Sequence, residues 1–289
     1  MSRLFYVDFR TADNGGKGND NNDGQSKETP FLTMAKVLTA GILKDYDMVV
    51  WIGDCTESGL VTPANIDFVL MVGSIHHPRA SRWRPATSTA PALQVRGQGW
   101  VFAKIYWSGG TGDYVLSFLR DATYNASEGW VLGCDFNGGS GGIENDGGCS
   151  NLRLTNNRFI NVRGGTASTP GAIVLTSAAQ ATPSNCELFG NRFYNCERHI
   201  HHAMMRSHLA WNRHQAIGHD ATDTRIINLQ AIAGSATNGS QGDHNHVEHC
   251  SLGRATADLT FANGFRYGAN STGVDNYATD GVVYGVPAS

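Results

Sequence analysis

Apolar and polar positions alternate in short segments that recur along the body of the chain. Each segment has an aliphatic residue, a polar or turn-forming middle, and a second core position five residues later. The segments are VLGCDF (131–136), LTNNRF (154–159), LFGNRF (188–193), LAWNRH (209–214) and VEHCSL (247–252). They recur every 21 to 38 residues, which is typical of solenoids in which each repeat forms one coil. FAKIYW (102–107) is a further candidate, with a shifted or irregular register.

Equivalent residues of stacked coils lie about 4.8 Å apart, so the repeat predicts ladders of side chains. The last position of the segments holds Phe136, Phe159, Phe193, His214 and Leu252. Five positions earlier stand Val131, Leu154, Leu188, Leu209 and Val247. Two positions before the end stand Cys134, Asn157, Asn191, Asn212 and Cys250. We predict two apolar core ladders and a structural asparagine ladder in a tight turn.

The N-terminal segment begins with a loop of Asn, Asp and Gly at 13–24. A calcium-binding loop of the EF-hand type would need a carboxylate where Pro30 stands, so that interpretation fails. Beyond the loop, the apolar positions 31, 35, 38 and 42 predict one face of a short helix, which Thr33 caps and Gly41 ends. The segment DMVVWIG (47–53) predicts a buried strand.

This N-terminal segment resembles the cap of right-handed parallel β-helix proteins of the pectate-lyase-like superfamily. The matching residues are Tyr6, Val7, Gly24, Pro30, Phe31, Thr33, Asp47, Val49, Gly53 and Glu57. One departure is Cys55, where an aromatic residue is common in the family. The resemblance implies an all-β, right-handed, single-stranded parallel β-helix with a short N-terminal capping helix. It says little about chemistry, because lyases, hydrolases and non-enzymatic spikes share this cap.

Three regions follow from this interpretation. Residues 1–60 form the N-terminal cap, 61–255 the coils, and 256–289 a C-terminal cap or partner-contact tail. Within the coils, the register between 60 and 130 is left open by the sequence.

The composition agrees with coils of short strands and limits the kinds of partner that the protein can bind. Charged residues make up only 16% and there are 35 glycines, which suits strands joined by tight turns. The net charge of −3 and the lack of a basic run indicate no nucleic-acid partner. The longest apolar stretches are too short to insert into a membrane, and no secretion signal is visible at the N-terminus. The six cysteines form no Cys-x-x-Cys pair and are expected to be reduced and mostly buried.

Two outward columns are candidates for ligand binding. One position before the final core residue stand Asp135, Arg158, Arg192, Arg213 and Ser251. This stripe is either a solvated face paired with nearby acids or a groove for an acidic saccharide. Six positions before the final core residue stand Trp130, Arg153, Glu187, His208 and His246, a combination that a sugar-binding face uses. No catalytic set is assigned, although Glu187, Arg153 and His208 are the candidates if this column is catalytic.

Histidines cluster at 199–219 and 244–249. Two His-x-His pairs, His199 with His201 and His244 with His246, have the spacing of a half-site for a transition metal. Surface or stacked polar histidines are the alternative interpretation. No metal or cofactor is predicted.

The sequence of the coils shows few candidate catalytic residues. They contain no Asp-Asp or Glu-Asp pair and no visible acidic cluster, and Lys104 is the only lysine after residue 44. The first hypothesis is therefore a phage-type virion structural protein, such as a capsid-decoration, fibre or tailspike β-helix, that mediates surface attachment or glycan binding. It would form a homotrimer, contact other virion proteins and bind a cell-surface polysaccharide. The alternative is an extracellular polysaccharide lyase or glycoside hydrolase.

Overall fold

The computed structural model describes most of the chain as far as residue 215 and isolated strands beyond it. The described ranges are 2–73, 81–86, 89–109, 113–162, 171–175, 183–196, 199–202 and 207–215, followed by 227–229, 241–243, 246–248, 259–260, 266–267 and 277–278. Among these residues, no helix is long and apolar enough to cross a membrane.

Short strands dominate the described chain, with one α-helix, α1 (Met34–Val37), and one 3₁₀ turn, Ala12–Asn14. The first strands are β1 (Leu4–Asp8), β2 (Met48–Cys55), β3 (Leu60–Val61), β4 (Leu70–Val72), β5 (Ser81–Trp83), β6 (Leu93–Val95), β7 (Val101–Ala103), β8 (Tyr106–Ser108), β9 (Tyr114–Leu119), β10 (Trp130–Leu132), β11 (Asp135–Asn137) and β12 (Gly141–Asp146). Next come β13 (Arg153–Thr155), β14 (Arg158–Ile160), β15 (Gly171–Leu175), β16 (Glu187–Phe189), β17 (Arg192–Tyr194), β18 (Ile200–His202), β19 (His208–Ala210) and β20 (Arg213–Gln215). The last are β21 (Ile227–Leu229), β22 (Gln241–Asp243), β23 (His246–Glu248), β24 (Leu259–Thr260), β25 (Arg266–Tyr267) and β26 (Tyr277–Ala278).

The strands stack into three parallel sheets, as in a right-handed parallel β-helix. Sheet A contains β1, the first part of β2, and then β4, β7, β10, β13, β16, β19, β22 and β25. Sheet B contains the end of β2 and then β5, β8, β11, β14, β17, β20, β23 and β26. Sheet C contains β3, β6, β9, β12, β15, β18, β21 and β24. The strands β24–β26 extend these ladders beyond residue 255.

The predicted core ladder on sheet B is confirmed. Phe159 stacks on Phe136 at 4.7 Å and on Phe193 at 5.0 Å between ring centroids, with nearly parallel rings. The stack continues toward the N-terminus through Trp107 and Trp83, which are fully buried. Trp107 is the last residue of FAKIYW and lies opposite Phe136, so this segment is a regular coil in register with the others.

The asparagine ladder is also confirmed. Asn157 Nδ2 donates to Asn191 Oδ1, and Asn191 Nδ2 donates to Asn212 Oδ1, each at 3.1 Å. All three side chains are completely buried. The residue before each asparagine lies in the left-handed region (Asn156, Gly190 and Trp211, with φ between 55° and 66°), which makes the corner from sheet A to sheet B only two residues long.

The register predicted for the last segment, VEHCSL, is wrong. Val247 lies opposite His214 in sheet B, and the sheet A strand of that coil is β22. His246 therefore aligns with Arg213, and Gln241 takes the predicted place next to His208. The sequence QGD of β22 has no apolar residue, so the pattern of core positions gave no sign of it.

The N-terminal helix is shorter than predicted. Thr33 caps it as expected, accepting from Lys36 N, but the helix ends at Val37, well before Gly41. Ala35 is exposed, and the buried face consists instead of Met34, Val37 and the following Leu38. The first free N–H groups, those of Met34 and Ala35, donate to the carboxylate of Glu57 at 2.6 and 3.1 Å.

A second polar ladder, which the sequence interpretation missed, stabilises the corner from sheet C to sheet A. Asp67 N donates to Asp45 Oδ1 and Gln98 N to Asp67 Oδ1. Serines continue the same arrangement in later coils: Ser127 Oγ accepts from Ser150 N, and Ser150 Oγ accepts from Ser184 N. Side chains thus tie the coils together at two corners.

Five cysteines lie within the described residues, and all five are buried free thiols, as predicted. Burial raises the pKa of the Cys134 and Cys186 thiols to about 12, so both are protonated at neutral pH. Cys250 lies outside the described residues.

Candidate functional site

The arginine stripe runs along the outer face of sheet B. Its members, in order from the N-terminal end, are Asp54, Arg82, Tyr106, Asp135, Arg158, Arg192, Arg213 and, by backbone register, His246. Adjacent strands hold each position directly beside the next. The stripe is therefore a single column parallel to the solenoid axis, as the sequence predicted for its central part.

Two arginines of this stripe bind acidic residues of the preceding strand in the same column. Arg82 binds Asp54 through two hydrogen bonds of 2.6 Å. Arg158 binds Asp135 through bonds of 2.6 and 3.1 Å. Arg192 has no carboxylate within ion-pair distance among the residues that the structure describes.

An exposed aromatic ring lies beside the unbalanced arginine. Tyr194 is two residues after Arg192 on β17, so both side chains point to the outer face of the sheet. The Tyr194 side chain is 43% exposed. The next strand adds the exposed Arg213 to the same face.

The second predicted column lies on the outer face of sheet A. Trp130, Arg153, Glu187 and His208 stand in that order, as predicted, while His246 belongs to sheet B. Arg153 and Glu187 form an ion pair of 3.5 Å, and both side chains are more than half exposed. Such an exposed pair contributes little to stability.

Trp130 differs from the polar members of its column. Its indole Nε1 is buried and makes no hydrogen bond within the described part of the chain. The equivalent positions toward the N-terminus hold Leu4, Met48, Leu70 and Val101. Trp130 therefore ends an apolar run, and the polar part of the column begins at Arg153.

The structure separates the histidines that sequence grouped as metal candidates. His199 is completely buried and stacks on Phe193 at 5.2 Å, so it lies in the core. His201 belongs to β18 and His246 to β23, in different sheets, and His244 lies outside the described residues. Across the described ranges, no group of three or more His, Cys, Asp and Glu side chains is arranged to hold a metal ion.

A set of carboxyl groups on sheet C was missed by sequence reasoning. Glu144 and Asp146 alternate on one face of β12, and Asp113 immediately precedes β9, the adjacent strand. Ser117 and Val174, the neighbours of Glu144 on either side, are both buried. These carboxyl groups influence one another electrostatically, although within the described ranges no such group is arranged to hold a metal ion.

Burial and mutual repulsion perturb these carboxyl groups. The pKa of Glu144 is raised to about 7, mainly by burial, and the charges of Asp113 and Asp146 contribute to the increase. Burial also raises the pKa of Asp113 and Asp146. A carboxyl group with a pKa near neutrality can both donate and accept a proton, which general acid–base chemistry needs.

The sequence contains only a weak indication of this group of carboxyl groups. Glu144-Asn145-Asp146 places two carboxylates on one strand face, whereas Asp113 comes from the preceding coil. Only the register of sheet C brings the three together. Asn145, which points inward, accepts from Gly148 N and Cys149 N and donates to Cys149 O, so it stabilises the turn that follows.

Known structures share this fold at low sequence identity. The pectin methylesterase from Aspergillus niger matches with a TM-score of 0.54 and 11% identity, over 100% of this chain and 91% of that one. The Dettilon tailspike protein gives 0.49 and 13%, over 81% of this chain and 52% of that one, so the chain spans about half the tailspike's length. Pectate lyase Pel9A gives 0.41 and 12%, over 85% and 76% of the two chains. No family model matches the chain, and no curated protein matches it significantly.

Proposed function

We propose that this chain is a structural β-helix of a virus particle that binds an acidic polysaccharide through the outer face of sheet B. The observation that carries the proposal is the exposed Arg192, which has no carboxylate within ion-pair distance among the described residues and stands beside the exposed ring of Tyr194. The proposed ligand is therefore a negatively charged glycan.

The chemistry of this face fits an acidic sugar. Arg158, Arg192 and Arg213 are adjacent in successive strands, and like charges about 5 Å apart repel unless an anion lies between them. Arg158 already has Asp135, so the deficit of negative charge falls at Arg192. A guanidinium binds a carboxylate or sulfate through two parallel hydrogen bonds, and the Tyr194 ring offers an apolar surface to the face of a sugar ring.

The form of the molecule supports a structural role on a particle. Its exposed columns run parallel to the solenoid axis over many coils, which suits an extended polymer better than a small molecule. The side-chain ladders at the corners join the strands of successive coils, so binding orders side chains such as Arg192 and Tyr194 and not the backbone. We place the protein in a virion, in contact with other virion proteins, with an extracellular location as the alternative.

The test is binding of the full chain to a panel of acidic and neutral polysaccharides. We expect acidic members to bind, and more weakly as salt increases. Arg192→Ala should weaken binding about 10- to 100-fold, the effect of losing a charged hydrogen bond. Arg153→Ala is the matched control, since this exposed arginine lies on sheet A and pairs with Glu187. Equal effects of the two substitutions, or no preference for acidic glycans, would contradict the proposal.

Glycoside hydrolysis is a second candidate function, favoured by the carboxyl groups on sheet C. Glu144 and Asp146 project from one face of β12 beside Asp113, and two or more carboxyl groups on one surface are what such a reaction uses. Release of new reducing ends from a polysaccharide, lost in Glu144→Gln and kept in Glu128→Gln, would support it. A panel of polysaccharides left intact by the native chain would exclude it for those substrates.

A further inference from the structure

A second positively charged position lies on the outer face of sheet B, nearer the N-terminus. Arg82 and Arg84 project from that face, because the fully buried Trp83 between them points into the core. Arg84 continues the ladder by one residue, since its backbone N–H donates to Cys55 O at 2.7 Å. Its side chain is exposed. Both arginines therefore belong to the surface that carries Arg192.

One aspartate serves both of these arginines. Asp54 accepts two hydrogen bonds of 2.6 Å from Arg82. Arg84 Nε lies 3.7 Å from Asp54 Oδ2, which is beyond hydrogen-bond distance. Among the residues that the structure describes, Arg84 has no other carboxylate within ion-pair distance. Two positive charges therefore face one negative charge, and the Arg84 guanidinium can donate hydrogen bonds to an anionic ligand.

The surface between Arg84 and Arg192 carries no net charge. It consists of the outward side chains of β8, β11 and β14. Its two charged members, Asp135 and Arg158, neutralise each other through hydrogen bonds of 2.6 and 3.1 Å. The uncharged outward residues are Tyr106, Ser108, Asn137 and Ile160.

Four strand spacings separate the two positively charged positions. The strands β5, β8, β11, β14 and β17 are consecutive in sheet B. Adjacent strands lie about 4.8 Å apart, so the backbones of Arg82 and Arg192 are about 19 Å apart along the solenoid axis. An extended pyranose unit is similar in length to one strand spacing. The two positions are therefore about four sugars apart on a polysaccharide that runs along the axis.

We propose that the acidic polysaccharide lies parallel to the solenoid axis and is a heteropolymer, with one acidic sugar in about every four. One acidic group binds Arg192, the next binds Arg84, and uncharged sugars cover the three strands between them. A polymer with a carboxylate on every sugar fits less well. Its middle carboxylates would lose water without gaining a positive partner, and one would face Asp135. This inference rests on the proposed function and names the class of polysaccharide.

The two positions differ in what else they offer to a sugar. Arg192 has the exposed ring of Tyr194 beside it on the same strand. The place equivalent to Tyr194 on β5 is taken by Arg84 itself, which is not aromatic. A fragment with a single acidic group therefore prefers Arg192. Arg84 contributes to binding only when the ligand is long enough to reach both positions.

The experiment measures, by calorimetry, the binding of two fragments of deacylated gellan, a polysaccharide with one glucuronate in each tetrasaccharide repeat. The tetrasaccharide carries a single acidic group and the octasaccharide carries a pair. Arg84→Ala should weaken binding of the octasaccharide about 10-fold and leave binding of the tetrasaccharide unchanged. Arg192→Ala should weaken binding of both fragments. Arg153→Ala, on sheet A, is the matched control and should weaken neither. Each replaced arginine is exposed, so the circular dichroism of the variants should match that of the native chain.

An octasaccharide of galacturonate, with a carboxylate on every sugar, tests the spacing of the charges. It should bind more weakly than the gellan octasaccharide. Tighter binding of the galacturonate octasaccharide overturns the inference. So does an Arg84→Ala variant that binds the gellan octasaccharide as the native chain does. The proposed function survives either result if Arg192→Ala weakens binding. Absence of binding to every fragment, or binding that Arg192→Ala leaves unchanged, overturns the proposed function and the inference together.

Discussion

The side-chain amide of Asn157 donates to Oδ1 of Asn191 in the next coil, at 3.1 Å in a completely buried corner. Asn191 Oδ1 also accepts from Asn157 N, and Asn191 Nδ2 donates to Leu154 O. The Asn191 side chain thus satisfies two backbone groups of the preceding coil and joins that coil to the one that contains Asn191. These bonds are buried, so water cannot replace them.

Asn191→Ala is expected to destabilise the protein strongly. It removes the partners of Asn157 N and Leu154 O, both in the buried corner, and we expect a loss of about 3 to 5 kcal/mol. Asn161→Gly is the matched control, because Asn161 is exposed and glycine tolerates its φ of 52°. Denaturant unfolding measures both, and similar losses would show that the buried ladder contributes nothing special.

Gly99→Ala should be more harmful than Gly41→Ala. Both glycines have left-handed backbones, with φ of 67° and 88°, so each substitution costs about 1 kcal/mol through the backbone. A Cβ at Gly99 would come within 2.3 Å of the Phe68 ring, whereas one at Gly41 meets nothing within 4 Å. The additional loss in Gly99→Ala, measured by unfolding, reports displacement of the Phe68 ring, which stacks on Tyr46. Equal losses of stability in the two variants would mean that the Phe68 ring moves aside without an energetic cost.

Glu57 is expected to stabilise the N-terminal cap. Glu57→Ala removes the acceptor of two N–H groups at the start of α1, and we expect a loss of about 1 to 2 kcal/mol. Glu28→Ala breaks only an exposed ion pair with Lys17 and should cost less than about 0.5 kcal/mol. Thermal unfolding of the two variants separates capping from surface charge; a neutral Glu57→Ala would refute the capping role.

The titration of Glu144 should make stability depend on pH. Burial raises its pKa from 4.5 to about 7, so the folded chain binds more protons than the unfolded chain between these values. The free energy of unfolding therefore falls as pH rises through that window, by on the order of 2 kcal/mol from this group. Glu144→Gln should flatten the profile there. A variant whose profile parallels that of the native chain between pH 4.5 and 7 would contradict this assignment.

Acidic groups near the N-terminus act at lower pH and in the opposite direction. Burial alone would raise the pKa of Asp8 and Asp47, but hydrogen bonds from Arg10 and Arg3 hold both below 3.8. The stability that these groups contribute is lost only as pH falls through their lowered pKa values. The comparison of native and Glu144→Gln chains above pH 4.5 is therefore little affected by them.

The ladders could be predicted from sequence because one residue type recurs at a fixed spacing. Phe136, Phe159 and Phe193 lie five residues after an aliphatic residue in each segment, and the strand register follows directly. The register of His246 could not be predicted, because the strand before it, β22, contains no apolar residue.

The interaction of Glu144 with Asp113 could not be predicted from the sequence for a related reason. Their electrostatic interaction depends on the register of sheet C across insertions of variable length, which the core pattern does not determine. The apolar run on the outer face of sheet A was missed because alternation in a single strand does not show which residues become spatial neighbours. Met48 and Leu70 become adjacent only when the coils stack.

The most direct test of the account is a crystal structure of the chain with an acidic oligosaccharide. We predict a carboxylate or sulfate of the ligand within hydrogen-bond distance of the Arg192 guanidinium, and a sugar ring against Tyr194. A saccharide bound instead at Glu144 on sheet C, with the outer face of sheet B empty, would contradict the account.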